Sequence, residues 1–251
     1  MSDEPIIVNI AGSAMSVCSA SATIGAIHTC TGRRITADDN YQLARSWAES
    51  SSEQDFREHA GYARLEAALN HVPVVGGDDL KCWRGRPFEP NMVPNRNNMG
   101  PPPTDAAFAG GRYNRENIPV LYLSDSEDGV AREVNATGRV LWVQGFTLPV
   151  SSLRLADMST ALSDPFVNSV FWFAEGAGEL GSNVSLSFSQ IVSELVAHRI
   201  DGMVVPGVRG DDRVKYRNVI VFNPHPKWPE WLEQRSDPKL ISGGGGSASH
   251  R

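Results

Sequence analysis

Apolar residues recur at helical spacing in two places near the start of the chain. Tyr41, Ala44 and Ala48 share one face behind Thr36-Ala-Asp-Asp39, which reads as a capping box, and Phe56, Ala60, Ala63 and Ala67 follow at i, i+4, i+7 and i+11. The spacing predicts two short amphipathic helices that end at Pro73 and the Gly76-Gly77 break. Ahead of them, residues 5–32 are rich in small side chains and show no clear period, and the one element they predict is a short strand over Ile6–Ile10.

After residue 80 the pattern changes to strands and loops. Residues 80–84 read as a strand that runs into a loop over 87–103, a span with six prolines that cannot form a regular element. A loop of that length in a compact domain is usually a lid or a binding loop. Val120-Leu-Tyr-Leu123 reads as a short buried strand. Ser124-x-x-Glu127 offers a helix cap, with Val130 and Val134 on one face up to Gly138. Further strands are predicted over 139–148, 203–205 and 218–222, and a helix over 189–199 with Ile191, Leu195 and His198 facing in. Short strands and a few helices without repeated βαβ units predict an α+β fold. Trp228 and Trp231, set among prolines, are expected to clamp the C-terminal segment onto the core.

Charge divides the chain in the same place. The net charge is −6, yet residues 1–80 hold 5 basic and 11 acidic side chains while the remainder balances at 18 of each. Two differently built regions are implied, and neither has a long-range pull on nucleic acid. Only 4 of the 23 basic residues are Lys, so cationic chemistry here means guanidinium forks suited to carboxylate or phosphate. Cys18, Cys30 and Cys82 show no metal-ligand spacing, and none of the six histidines falls into a triad or metal pattern, so no metal site is expected. Residues 5–32 carry no charge but are too rich in Ser, Thr, Gly and Asn for a membrane span, and no basic segment precedes them as in a secretory signal. A reducing cytoplasm is the expected setting. The glycine-rich tail over 241–251 is expected to be flexible.

Four residues are candidates for chemistry. Arg84 ends a strand beside Trp83, and Arg112 follows two glycines, which let a backbone approach a ligand closely. Together they could hold a pyrophosphate through charge-assisted bonds. Tyr122 sits mid-strand, and Glu133 lies on the next helix near its apolar face, where a carboxylate needs a cationic partner or a function. Each also has a structural alternative: an Arg after Gly-Gly is commonly a surface loop residue, and a mid-strand Tyr is commonly core. No GxGxxG opens a βαβ unit, which argues against a Rossmann dehydrogenase. Arg209, Arg213, Lys215 and Arg217 form a basic run that Asp211 and Asp212 partly neutralise, expected as a solvated turn.

The order of these pieces resembles the RES domain, the toxin half of Xre–RES toxin–antitoxin pairs. The matching segments are Trp83-Arg84, Gly110-Gly-Arg-Tyr-Asn114, Val120-Leu-Tyr-Leu-Ser124, Glu133, Ser189-Gln-Ile, Ile200-Asp-Gly-Met-Val-Val-Pro206 and Asn218-Val-Ile-Val-Phe222. The resemblance implies an ADP-ribosyltransferase-like mixed sheet core with flanking helices. It implies an NAD-binding catalytic domain over 80–240, a partly helical extension over 1–79 and the tail over 241–251. It implies NAD+ as a substrate that is consumed, with no resident cofactor. Glu133, Arg112 and Tyr122 fall at its catalytic positions, and Arg84, Tyr113, Asn114, Ser124 and Gly207 line the substrate. Gly207 stands where the family usually has a serine, so backbone N–H groups of Gly207 or Val208 would have to replace that hydroxyl, or activity is altered.

Physical chemistry fits those roles. Breaking the nicotinamide–ribose bond builds an oxocarbenium-like cation that a carboxylate stabilises, while arginines hold the pyrophosphate and an aromatic ring meets the nicotinamide. The expected function is an NAD+-degrading toxin, a glycohydrolase or phosphorylase. The alternatives are transfer of ADP-ribose to a specific protein, and a weakened module that only binds nucleotide or a partner. The resemblance also implies a helix-turn-helix antitoxin of Xre type, and action in the cytoplasm, with delivery as a secreted effector an alternative history for the acidic N-terminal region. Ser185-Leu-Ser187 is similar to the Ser-x-Ser strand of arginine-directed ADP-ribosyltransferases, but no Glu-x-Glu follows, and plain strand serines are the expectation.

Overall fold

The computed structural model describes residues 6–10, 13–17, 26–29, 34–36, 39–50, 52–101, 110–134, 139–176, 188–207, 215–224 and 228–241. Ser185-Leu-Ser187, Val208, Arg209, Arg213 and the glycine-rich tail lie outside them, as do Cys18 and Cys30. The chain divides into two compact units, residues 1–72 with 159–195, and residues 73–158 with 196–251. The segment 159–195 therefore groups with the N-terminal region, and the first break falls at 72/73 where the sequence points to 79/80.

The first unit opens with four strands, β1 (Ile6–Ile10), β2 (Ser13–Val17), β3 (Ala26–Thr29) and β4 (Arg34–Thr36), in an antiparallel meander in that order. Only the first was legible in the pattern. Thr36 ends β4, so it does not cap a helix, and helix α1 spans Asp39–Ala48. The second predicted helix is two, α2 (Glu53–Glu58) and α3 (Ala60–Leu69). His59 breaks it by taking an extended ψ of 143° and accepting the Gly61 N–H on Nδ1 at 3.1 Å, so that it caps α3. Trp47 is fully buried, donates to the Phe56 carbonyl at 2.7 Å, stacks on Phe56 and Phe166, and meets Phe188 edge-on.

The second unit is built on a mixed sheet. In chain order its elements are β5 (Leu80–Phe88), β6 (Val120–Ser124), α4 (Glu127–Glu133), β7 (Val140–Leu148) and β8 (Leu155–Asp157). After α5 (Met158–Ala161), α6 (Pro165–Gly176) and α7 (Phe188–Ala197), which lie almost wholly in the first unit, the second unit resumes with β9 (Gly202–Pro206), β10 (Arg217–Phe222), α8 (Trp228–Trp231), β11 (Glu233–Gln234) and β12 (Lys239–Ile241). The strand order is β11-β7-β5-β6-β10-β9-β8, with β12 also on β7. All pairs are antiparallel except β8 with β9. The fold is α+β, as the pattern predicts.

Alternation along these strands sends Cys82, Leu121, Leu123, Phe146, Leu148, Val204, Val219 and Val221 into one apolar cluster, against which Trp228 and Trp231 pack. The opposite face carries Val130, Leu141 and Val143 with Trp83 and Val134, so α4 lies on that side. Its cap is Ser126, whose hydroxyl accepts the Gly129 N–H at 3.3 Å, and not Ser124. His198, expected to face in, is exposed beyond the end of α7.

One departure from regular pairing shapes the site. Strand β5 pairs with β7 along its whole length, Pro87 and Phe88 included, but meets β6 at a single position, Trp83 opposite Ser124. Beyond that bridge β5 and β6 part and open a fork.

Candidate active site

Arg84 is the first residue of β5 past the bridge, on the branch shared with β7. It faces Gln144 across the strands, and Arg86 faces Trp142 one row on. Arg84 is only 9% exposed and its Nη1 has no hydrogen-bond partner. Burial, reinforced by the neighbouring Arg86 charge, pushes its pKa down to about 9. A guanidinium holds its proton at neutral pH even so. The site therefore carries a buried positive charge that no carboxylate among the described residues neutralises, which costs several kcal/mol unless an anion arrives, by roughly the penalty for an uncompensated buried ion. Gln144, fully buried, leaves its Oε1 without a partner beside it, while its Nε2 donates to the Ser236 carbonyl at 2.8 Å. Arg86 is part-buried, donates Nη1 to the Asn98 carbonyl at 2.5 Å, and is itself shifted down by burial. Arg86 and Gln144 were missed from the sequence, although the i, i+2 spacing of Arg84 and Arg86 on a strand is a usable signal, because it puts both guanidiniums on one face.

On the other branch stands Tyr122. Its hydroxyl donates to Asn114 Oδ1 at 2.6 Å and accepts the Tyr113 N–H at 3.1 Å. Asn114 in turn donates Nδ2 to the carbonyls of Arg115 and Ile118 at 3.0 and 2.9 Å. The loop closes through the Gly111 N–H on the Asn114 carbonyl at 2.9 Å. A Cβ at position 111 would sit 2.7 Å from Asn114 Oδ1 and 2.9 Å from the Tyr122 hydroxyl, so glycine is what lets the loop seat on that ring. Burial pushes the Tyr122 phenol up to about 12, opposed by the Tyr113 bond and by the nearby Arg112 charge. Arg112 is exposed at the turn, and Tyr113 is buried with its ring 6.4 Å from that of Tyr122. Tyr122 keeps 36% of its surface exposed, so its ring is open while its hydroxyl is fastened.

Glu133, in the last turn of α4, is held from the sheet. Its Oε1 accepts the Tyr216 hydroxyl at 2.7 Å and Asn218 Nδ2 at 2.8 Å. Asn218 lies opposite Ser124, and Ile220 lies opposite Tyr122, so Tyr122, Ser124 and Asn218 share one face and Glu133 reaches the same face. Ser124 is buried, donates to the Arg217 carbonyl at 3.2 Å and accepts the Ser126 N–H at 3.3 Å. Its hydroxyl thus ties β6 to β10 and to the start of α4. The Gly207 N–H donates to the Tyr216 carbonyl at 2.8 Å, which occupies the group expected to stand in for a serine hydroxyl. A Cβ at position 207 would run into the Tyr216 ring.

Three groups result, divided between the two faces of the sheet: Arg84 with Arg86 and Gln144 on the Cys82 and Phe146 face, and Tyr122 with its loop, and Glu133 with Asn218 and Tyr216, on the α4 face. Arg84 shares no hydrogen bond with the other two among the described residues. Tyr216 was missed from the sequence because nothing local marks it, and its partner is 83 positions away. Among the described residues no three His, Cys, Asp or Glu side chains gather as a metal site requires.

The RES domain family model matches residues 82–241, more than half of the chain and the span that holds all three groups. No curated relative and no solved structure matches the chain. The chain belongs to the RES domain family, which is associated with toxin activity directed at NAD+.

Proposed function

We propose that this RES domain breaks the nicotinamide–ribose bond of NAD+ as a toxin. The observation that carries the reading is Arg84, a buried guanidinium with no carboxylate partner among the described residues and a second arginine beside it. A pyrophosphate supplies the missing charge in the planar, bidentate form a guanidinium fork prefers. In this reading Arg112 and the Tyr122 ring meet the pyrophosphate and the nicotinamide on the Glu133 face, and Arg84 reaches the pyrophosphate or the adjoining ribose from the other face through the gap where β5 and β6 part. Glu133 places a carboxylate against the ribose. As the bond from C1′ to the nicotinamide nitrogen lengthens, its electron pair leaves with neutral nicotinamide and positive charge grows on the sugar, where the carboxylate stabilises it. An oxygen of water then bonds to C1′ and loses its proton to solvent, giving ADP-ribose. With inorganic phosphate as acceptor the product is the 1-phosphate of ADP-ribose. NAD+ is a substrate throughout, and its depletion accounts for toxicity.

No helix among the described residues is long and apolar enough to cross a membrane. The reading puts the action in the cytoplasm, where NAD+ is held, under an Xre-type antitoxin that covers the fork. Co-expression with such a protein should restore growth.

The direct test incubates purified protein with NAD+, with and without phosphate, and resolves the products chromatographically. Nicotinamide release that disappears in Glu133→Ala and Arg112→Ala supports the reading, and the co-product names the acceptor. Release that needs an added protein fraction, with ADP-ribose recovered on that protein, identifies transfer to a protein acceptor instead. NAD+ left intact by parent and variants alike contradicts cleavage and leaves a binding module.

A further inference from the structure

We infer that Tyr216 is a positioning residue for the Glu133 carboxylate, seated for that task by two glycines; the inference rests on the NAD+-cleaving reading of Glu133. Tyr216 is 5% exposed and lies just ahead of β10, so its ring is fixed by packing. Two glycines make the room. A Cβ at Gly129 would stand 2.6 Å from the Tyr216 ring, and one at Gly207 would run into it. Gly129 belongs to α4, four residues before Glu133, and Gly207 follows directly on β9. The ring is thus clamped between the helix that carries the carboxylate and the strand end that faces it.

The hydroxyl turns this packing into chemistry. An ionised carboxylate only accepts hydrogen bonds, and Glu133 Oε1 takes two, from Tyr216 at 2.7 Å and from Asn218 at 2.8 Å. Both donors come from one stretch of chain, Tyr216 just ahead of β10 and Asn218 within it, while Glu133 sits in the final turn of a seven-residue helix, where fraying is easiest. Two donors on one oxygen fix the direction in which the carboxylate presents its charge, and orientation of a preformed charge is where electrostatic catalysis gains most. Tyr216 does this without touching NAD+, so its loss should lower turnover and leave substrate affinity nearly alone.

The test measures nicotinamide release by the full chain and by Tyr216→Phe, Glu133→Ala and the double variant, with thermal midpoints as a folding control. Tyr216→Phe keeps the ring in its cradle and removes only the donor. Its kcat is expected to fall about tenfold, the usual scale for one charge-assisted hydrogen bond, with KM within about twofold. Added to Glu133→Ala, the same change should have no further effect, whereas a merely structural role would depress both backgrounds alike. Gly207→Ala is the independent arm: it pushes the ring while leaving the hydroxyl in the chain. It should lower kcat, and combining it with Tyr216→Phe should lower kcat no further than Tyr216→Phe alone. A Tyr216→Phe protein with parental kcat while Glu133→Ala is strongly impaired overturns this inference alone. A parent that never releases nicotinamide overturns the NAD+ reading and this inference with it.

Discussion

The two branches of the fork are prepared in opposite ways. On the Glu133 side the carboxylate already has its donors, Tyr216 and Asn218, and Tyr122 has its loop, so that half holds its geometry through its own hydrogen bonds. On the Arg84 side a buried charge has no counter-ion among the described residues, and Gln144 beside it has an Oε1 without a donor. A site whose reacting group is pre-set while its anchor is unsatisfied stores its instability where a ligand can relieve it. The comparison explains why one half looks like ordinary structure and the other like a defect.

The largest expected effect is on the pre-set half. Glu133→Ala should lower NAD+ turnover about 10³-fold, the scale for removing a transition-state charge partner, with little change in nucleotide binding, as kinetics and titration would separate. Next is the anchor. Arg84→Met removes a buried charge with no carboxylate partner among the described residues, so the ligand-free protein should gain about 1–3 kcal/mol of stability by denaturant unfolding. The same variant should bind NAD+ about 10- to 100-fold more weakly. A residue held for packing alone would lose both.

Tyr122→Phe is a smaller change. It removes the bonds to Asn114 and Tyr113 and should cost about 1–2 kcal/mol in stability. It also alters the alkaline limb. The Tyr122 phenol titrates higher in the folded chain, at about 12, than its ordinary 10. A raised folded pKa gives stability that is fully present below pH 10 and is lost as pH rises toward 12. Denaturation curves of Tyr122→Phe should therefore be flatter than the parent's over that window. An equal slope in both would show that the hydroxyl is not held as described.

Much of the frame was legible because it is written in local periods. Val120 to Ser124 reads as a strand from its apolar run, Val130 and Val134 mark the buried stripe of α4, and β7, β9 and β10 follow from their β-branched residues. What escaped depends on tertiary partners or on single side chains. His59 splits a continuous helical period by capping α3 itself, and β2 to β4 are strands of three to five residues, too short to show a period. In the candidate site, Arg84, Arg112, Tyr122 and Glu133 stood out as residue types in suggestive places. Tyr216 did not, because a tyrosine ahead of a strand is unremarkable until the fold brings it to Glu133. Gly207 changes meaning in the same way: a gap in the sequence is, in the fold, the room for the Tyr216 ring.

The buried charge of Arg84, without a counter-ion among the described residues, is the most direct point of test. Calorimetric titration of ADP-ribose, which keeps the pyrophosphate and lacks the nicotinamide, into the parent and into Arg84→Met isolates it. The prediction is measurable binding to the parent, at least tenfold weaker binding to the variant, and a higher thermal midpoint for the variant without ligand. Equal affinity in both proteins, or a variant that is less stable on its own, would contradict the assignment of Arg84 as an anchor awaiting its anion.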